Sequence, residues 1–246
     1  MNFPVVAKEI NIPESLASEQ SNASTADPSV PTYLSEVYDW AYLNPRNVAL
    51  LDRNAVVDVL LFGNARRLMR SATKEIKPGQ KVLMAAHVYG NFVNKLADAV
   101  GPTGQLDIID IAPIQVSNCR KKVGHMPQVS VRQADAALPH EADYDVVLSF
   151  FLLHEVPDGK KRAIVDSLLN GVKEGGKALF VDYHRPHILH PVGYILSVVN
   201  DLLEPFAKAL WRHEISEYAG KADAYHWRKT TLFGGIYQKV VVKKKL

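Results

Sequence analysis

KVLMAAHVYGNFVNKLADAVGPTGQLDIID, residues 81–110, decides the fold. It opens with the apolar run Val82 to Ala86 and passes through a turn-like patch that ends at Gly90. Phe92, Val93, Leu96, Ala97 and Val100 then recur at spacings of three and four, the period of a helix with one apolar face. After GPTG, a second apolar run from Leu106 to Ile109 closes on Asp110. This is the pattern of a βαβ unit with an acid ending its second strand about 20 residues beyond the glycine, where a carboxylate can hold ribose hydroxyls. His87, Val88 and Tyr89 fill a turn that would need glycines to cradle a pyrophosphate, so the pattern suits a nucleoside cofactor without phosphates better than a dinucleotide. An ordinary βαβ packing turn is the competing reading.

Working outward, composition fits one compact α/β domain: 246 residues, 47% hydrophobic and 22% charged, suffice for a substantial core. A single cysteine, Cys119, excludes an internal disulfide and accords with a reducing compartment. The net charge of +3 gives no electrostatic reason to expect nucleic acid as a partner. Without 18 uninterrupted apolar residues or a cationic and then apolar leader, the chain is expected to be soluble or to lie against a bilayer. Residues 1–31, polar and punctuated by proline, read as a flexible arm before a single domain over 32–246. Residues 32–76 read as a helical cap; their aromatics Tyr33, Tyr38, Trp40 and Tyr42 suit either a lid over a planar ligand or plain packing on the sheet edge.

Beyond Asp110, the pattern predicts a helix over Ala112 to Lys122 and strands over Val129 to Arg132 and Tyr144 to Phe150. Asp135, at a strand end, is either an acceptor for an adenine amino group or an exposed loop residue. FFLLHE, residues 150–155, sets His154 and Glu155 beside an apolar wall. A helix over Lys160 to Val172 precedes EGG and a strand over Lys177 to Val181, whose end carries Asp182, His184, Arg185, His187 and His190. Histidine with carboxylate suits a divalent ion, and His154, Asp182 and His184 form the candidate metal neighbourhood; surface histidines are the alternative. Residues 186–222 form an insertion whose apolar part, Ile188 to Trp211, reads either as a greasy channel wall facing a membrane or as a core helix pair. Two terminal strands joined near Gly234 and Gly235 complete the pattern, and the basic Lys243 to Lys245 suits either anionic lipid or solvent.

The order of these motifs resembles the class I S-adenosylmethionine methyltransferases, a Rossmann-like α/β fold, with the EGG-then-strand segment and terminal hairpin as the strongest fold-level parts. More closely, YDWAYLNPRNVALLDR, AAHVYGNF, DIAPIQVSNCRKK and FFLLHEVPDGKK resemble the rhodoquinone-biosynthesis proteins within that superfamily, from about Tyr33 onward. That resemblance implies conversion of ubiquinone to rhodoquinone in anaerobic metabolism, an amino group from S-adenosylmethionine replacing a ring methoxy group with the help of manganese. The apolar insertion and the basic residues Lys208 and Lys243 add the expectation of a cytoplasmic enzyme peripheral to the inner face of a bacterial membrane, with an anionic surface as partner. Carried onto this chain, Asp110 is the ribose-binding acid and Asp135 the adenine-facing residue, with Ala86, Gly90, Ile111 and Ala136 completing the cofactor set. Tyr42, His87, Tyr89 and His154 are the candidate catalytic residues, orienting donor or quinone. One departure stands out: Met84 occupies the usual acidic position of the glycine loop and has no carboxylate for the methionyl amine. The runner-up function is a conventional methyltransferase acting on a quinone or another apolar small molecule; a non-catalytic quinone-binding protein is third.

Overall fold

The computed structural model describes Pro31, Leu34 and residues 44–203 and 206–245. The expected arm over residues 1–31, apart from Pro31, and the aromatics Tyr33, Tyr38, Trp40 and Tyr42 lie outside the described residues.

The chain folds as expected into a class I methyltransferase-like α/β unit. Its strands are β1 (Lys81–Ala85), β2 (Gln105–Asp110), β3 (Val129–Gln133), β4 (Tyr144–Phe150), β5 (Val172–Tyr183), β6 (Tyr225–Leu232) and β7 (Tyr237–Lys244). They form one seven-stranded sheet in the order β3-β2-β1-β4-β5-β7-β6. β1 to β5 run parallel, and β7 enters antiparallel between β5 and β6. The order reverses on either side of β1, between β2 and β4. Ligands of open α/β sheets bind in the crevice that opens at the carboxyl ends of the strands at such a switch point.

Pleating explains why the central strands are continuous apolar runs. Along β1, Val82 and Met84 enter one core cluster, while Leu83 and Ala85 enter the other. Both faces are covered, so neither set of alternating side chains has to be polar. The first face is covered by α3 (Ala65–Thr73), α4 (Phe92–Val100) and α5 (Pro113–Val123). The five periodic residues of α4 named from the sequence are all completely buried. The second face is covered by α6 (Asp158–Asn170) and by Leu210, Ile215 and Tyr218 of the insertion.

Before β1, residues 45–73 form three short helices: α1 (Pro45–Leu51), α2 (Asn54–Leu60) and α3. Asn44 caps α1 by accepting from the backbone N–H groups of Arg46 at 3.0 Å and Asn47 at 3.4 Å. β5 starts five residues earlier than expected, because Gly175 and Gly176 belong to the strand rather than to a turn ahead of it. Gly175 has φ +74°, and a Cβ on Gly176 would lie 2.9 Å from the carbonyl oxygens of Tyr144 and Asp145, beside the register shift between β4 and β5. The shift accommodates the extra residues as a bulge. Between β5 and β6 the chain forms α7 (Pro191–Leu203), α8 (Ala209–Arg212) and two short 3-10 turns. Among the described residues, no helix is long and apolar enough to cross a membrane.

Candidate functional site

The carboxyl ends of β1 to β5 bring together segments that are far apart in sequence. A cleft is lined by Ala86 and His87 after β1, Asp110 to Ala112 at the end of β2, and Ala134 to Ala136 after β3. Gln115, Leu152, Glu155, Val156, Ile164 and Leu34 complete it. Ala86, Asp110, Ile111, Asp135 and Ala136 of the expected cofactor set therefore share one cavity. Gly90 does not line it: its N–H donates to Asp52 at 2.8 Å, and a Cβ there would lie 3.3 Å from Val57 of α2.

Asp110 is buried at the heart of this cleft. Its Oδ2 accepts from the His87 N–H and its Oδ1 from the Ala112 N–H, both at 2.8 Å, so the acid ties the β1 turn to the β2 turn. Burial pushes its pKa up to about 6, outweighing the backbone hydrogen bonds that favour the charged form. Ala86 has φ +67°, the left-handed conformation that a side chain disfavours by roughly 1 kcal/mol or more and that glycine adopts at no steric cost. The turn thus keeps glycine-like geometry without the glycine. Asp135 accepts from the Ala137 N–H and from Lys160 Nζ, each at 2.9 Å.

His87 is the hub of a buried polar network. Its Nδ1 lies 3.0 Å from Gln115 Oε1, a group that can only accept, so Nδ1 carries the proton. Its Nε2 accepts from Lys122 Nζ at 3.1 Å. Burial, with the Lys122 charge beside it, pushes the His87 pKa down to about 4, and the ring stays neutral. Lys122 also pairs with Asp52 and donates to the Gly90 carbonyl at 2.9 Å, while Gln115 Nε2 donates to the Tyr89 hydroxyl at 2.9 Å. Sequence reading missed Asp52, Gln115 and Lys122. Asp52 and Lys122 are 70 residues apart, and neither belongs to a local motif.

A second, larger cavity of about 500 Å³ adjoins the first. Its wall is predominantly apolar: residues of α2 and the following turn from Val57 to Phe62, Val88, Phe150, Phe151, and Ile195, Leu196 and Val199 of α7. Tyr89, His154 and Tyr183 also line it, and Ala86, His87 and Glu155 line both cavities. Val59, Leu60 and Ile195 stand exposed, at 75%, 53% and 55%, so they frame the mouth of this chamber.

His154 sits in the chamber wall, buried, on the 3-10 turn after β4. Its Nδ1 lies 2.9 Å from Asp182 Oδ1 at the end of β5. Asp182 also accepts from the backbone N–H groups of Leu153 at 2.9 Å and Tyr183 at 2.8 Å. All of these contacts use the aspartate as an acceptor, so the histidine donates from Nδ1 and its other ring nitrogen is Nε2. That nitrogen lies 3.7 Å from Glu155 Oε1. Phe151 and Tyr183 meet the imidazole edge-on, with centroids at 5.8 and 4.8 Å.

The expected metal neighbourhood does not assemble. His184 lies beyond the end of β5, where the extended geometry that would align it with Asp182 has ended. Its Nδ1 is 2.9 Å from the Gly235 carbonyl and its Nε2 is 3.3 Å from Lys229 Nζ. Among the described residues there is no group of three or more His, Cys, Asp or Glu side chains able to hold a metal ion. Tyr42 lies outside the described residues.

Comparison with known proteins bears on the chemistry. The family described as methyltransferase domain matches residues 82–176. The ubiquinone/menaquinone biosynthesis C-methyltransferase of Shewanella halifaxensis is 33% identical over 136 residues, which cover 52% of this chain and 53% of that protein. The chain spans about half the length of several of these curated relatives. The enzyme of the same name from Saccharophagus degradans is 28% identical over 207 residues, covering 74% and 82% of the two chains. Among solved structures, mitomycin 7-O-methyltransferase superposes with a TM-score of 0.66 at 14% identity, covering 85% of this chain and 60% of that one. A protein from Bordetella parapertussis described as a possible exported protein superposes with a TM-score of 0.60 at 17% identity, covering 82% and 74%.

These findings overturn the expectation of a rhodoquinone-forming aminating enzyme with manganese and a place in anaerobic metabolism. The relatives are C-methyltransferases, and of the side chains expected to hold manganese His154 and Asp182 pair with each other while His184 turns away to Gly235 and Lys229. Fold and relatives do support binding of S-adenosylmethionine. The chain thus has the fold of the class I methyltransferases, matches the methyltransferase domain family over residues 82–176, and is similar in sequence to ubiquinone/menaquinone C-methyltransferases.

Proposed function

We propose that this protein transfers a methyl group from S-adenosylmethionine to a quinone-type ring or another apolar small molecule. The observation that carries the reading is the junction of the two cavities: a cleft built around a buried acid at the end of β2 meets an apolar chamber at Ala86, His87 and Glu155. The cleft suits the cofactor, because Asp110 offers ribose hydroxyls a buried carboxylate and the left-handed Ala86 turn lets the backbone approach a nucleoside closely. When bound, S-adenosylmethionine supplies an electrophilic methyl group on its sulfonium.

The other functions fall to the chain's own side chains. Val57, Leu61, Phe150 and Phe151 give a substrate ring an apolar surround, and burial of that surface favours binding by about 25 cal/mol per Å². His154 accepts a proton at Nε2 from a hydroxyl next to the acceptor position, which makes the ring electron-rich. Asp182 orients the imidazole through Nδ1 and stabilises the imidazolium that results. The neutral His87 and its network hold the β1 turn in place; with both ring nitrogens engaged, it is a positioning residue. The exposed Val59, Leu60 and Ile195 of the chamber wall, together with the exposed Ile188, Leu189 and Val198, support docking on a lipid surface from which a long-tailed substrate can enter.

The test is turnover with S-adenosylmethionine carrying a labelled methyl group and a short-tailed hydroquinone acceptor. The label should appear on the product with release of S-adenosylhomocysteine, and His154→Ala should lower kcat by about 10²- to 10⁴-fold while cofactor affinity holds. Cofactor binding with no methyl transfer to any hydroquinone or phenol would reject the reading.

A further inference from the structure

The methionyl arm of the cofactor ends in an ammonium and a carboxylate, and burying an ammonium without a partner of opposite charge is costly. Met84 has no carboxylate and is fully buried in the core, so the turn after β1 offers none from that position. The described carboxylates lining the cofactor cleft are Asp110, Asp135 and Glu155. Asp110 sits at the end of β2, holding the His87 and Ala112 N–H groups. Asp135 lies beyond β3 and pairs with Lys160. Both belong to the nucleoside end of the cleft, on the side of β1 away from β4. Glu155 follows β4, its side chain is 13% exposed, and it alone of the three also lines the apolar chamber. A reactive methyl group must face that chamber, which brings the methionyl arm to the junction where Glu155 stands.

We propose that the Glu155 carboxylate binds the ammonium group of the methionyl arm and so sets which adenosyl ligands the cleft accepts. The proposal rests on the methyl-transfer reading of the same site. Glu155 is a specificity residue in this role, and its 3.7 Å separation from His154 Nε2 places the anchored arm directly beside the base.

Three ligands separate the possibilities in calorimetric titrations of the full chain. S-adenosylmethionine carries both ammonium and sulfonium, S-adenosylhomocysteine the ammonium alone, and 5′-methylthioadenosine neither. Glu155→Gln keeps the shape of the side chain and removes its charge. It should weaken the first two ligands by about ten- to a hundredfold and leave methylthioadenosine unchanged, the last result also showing that the variant is folded. Loss confined to S-adenosylmethionine would assign Glu155 to the sulfonium and overturn the proposal. Equal loss for all three ligands, or for none, would overturn it as well. Wild-type protein that binds none of them would defeat the methyl-transfer reading itself, an outcome distinct from those three.

Discussion

Asp110 shows how one buried carboxylate links stability, loop geometry and ligand binding. Its pKa is raised to about 6 from an ordinary 3.8, so the protonated form is favoured in the empty protein below that pH. Because the folded pKa is raised, the stabilisation that comes with its extra proton is fully present below the unfolded value and is lost as pH rises through about 6. A ligand whose hydroxyls donate to the charged form pulls the equilibrium the other way. Affinity for S-adenosylmethionine should therefore fall as pH drops below about 6, by up to roughly tenfold per unit. Calorimetry at pH 5, 6 and 7.5 checks this. Asp110→Asn should bind more weakly at all three values and lose the dependence; a wild-type affinity flat across the range would remove Asp110 from the ribose contact. His87 carries the opposite shift, to about 4, and its stabilising contribution is present above its ordinary 6.5 and is lost as pH falls through 4. The two buried neighbours thus tilt stability in opposite directions between about pH 4 and 6.

At the scale of elements, α7 is the segment whose apolar residues do two things at once. Leu196 is buried against the core, Ile195 and Val199 line the chamber, and Tyr194, Ile195 and Val198 are exposed. A helix serving only as core would keep its apolar residues on one covered face. Replacing Ile195 and Val199 together by Ser should reduce kcat/KM for a long-tailed acceptor by about tenfold more than for a short-tailed one, with lower association to lipid vesicles. Loss shared equally by the two acceptors, with unchanged vesicle association, would assign both residues to ordinary packing. α3 has a different task. Glu75, just beyond it, meets Lys177 of β5 and Lys239 of β7, each at 2.9 Å. Against the upward push of partial burial, those two ammonium groups hold its pKa at about 2, so the helix stays pinned across the sheet at physiological pH.

For the molecule as a whole, the cofactor cleft is assembled from the ends of β1, β2, β3 and β4, so a ligand there binds only the folded chain. A ligand at a hundred times its Kd then stabilises by about 2.7 kcal/mol, which for a domain of this size raises Tm by roughly 5–11 °C. S-adenosylhomocysteine should produce such a shift in differential scanning calorimetry, and Asp110→Asn should show a smaller one at the same ligand concentration. No shift at saturating concentration would mean that the cleft does not take the cofactor.

Much of this architecture is written in local periodicity. Period-two runs covered on both faces, an apolar stripe along α4 and an acid closing β2 are properties of neighbouring residues, and they were enough to place the parallel sheet, the terminal hairpin and the cleft at Asp110. The bulge at Gly175 and Gly176 was less legible, because two glycines before an apolar run read equally well as a turn, and only the pairing of β4 with β5 shows them to be inside the strand. The partners of the site's side chains depend on distances that no local pattern encodes. Asp52 meets Lys122 across 70 residues, and His154 meets Asp182 across 28. His184, two positions from Asp182, turns instead to Gly235 because the strand has ended. Residue order thus determined the layers and the place of the crevice, since backbone periodicity is a short-range property. Tertiary packing decided which imidazole faces the chamber, which carboxylate holds it and that, among the described residues, no third ligand joins them, because those contacts exist only once the strand ends have been brought side by side.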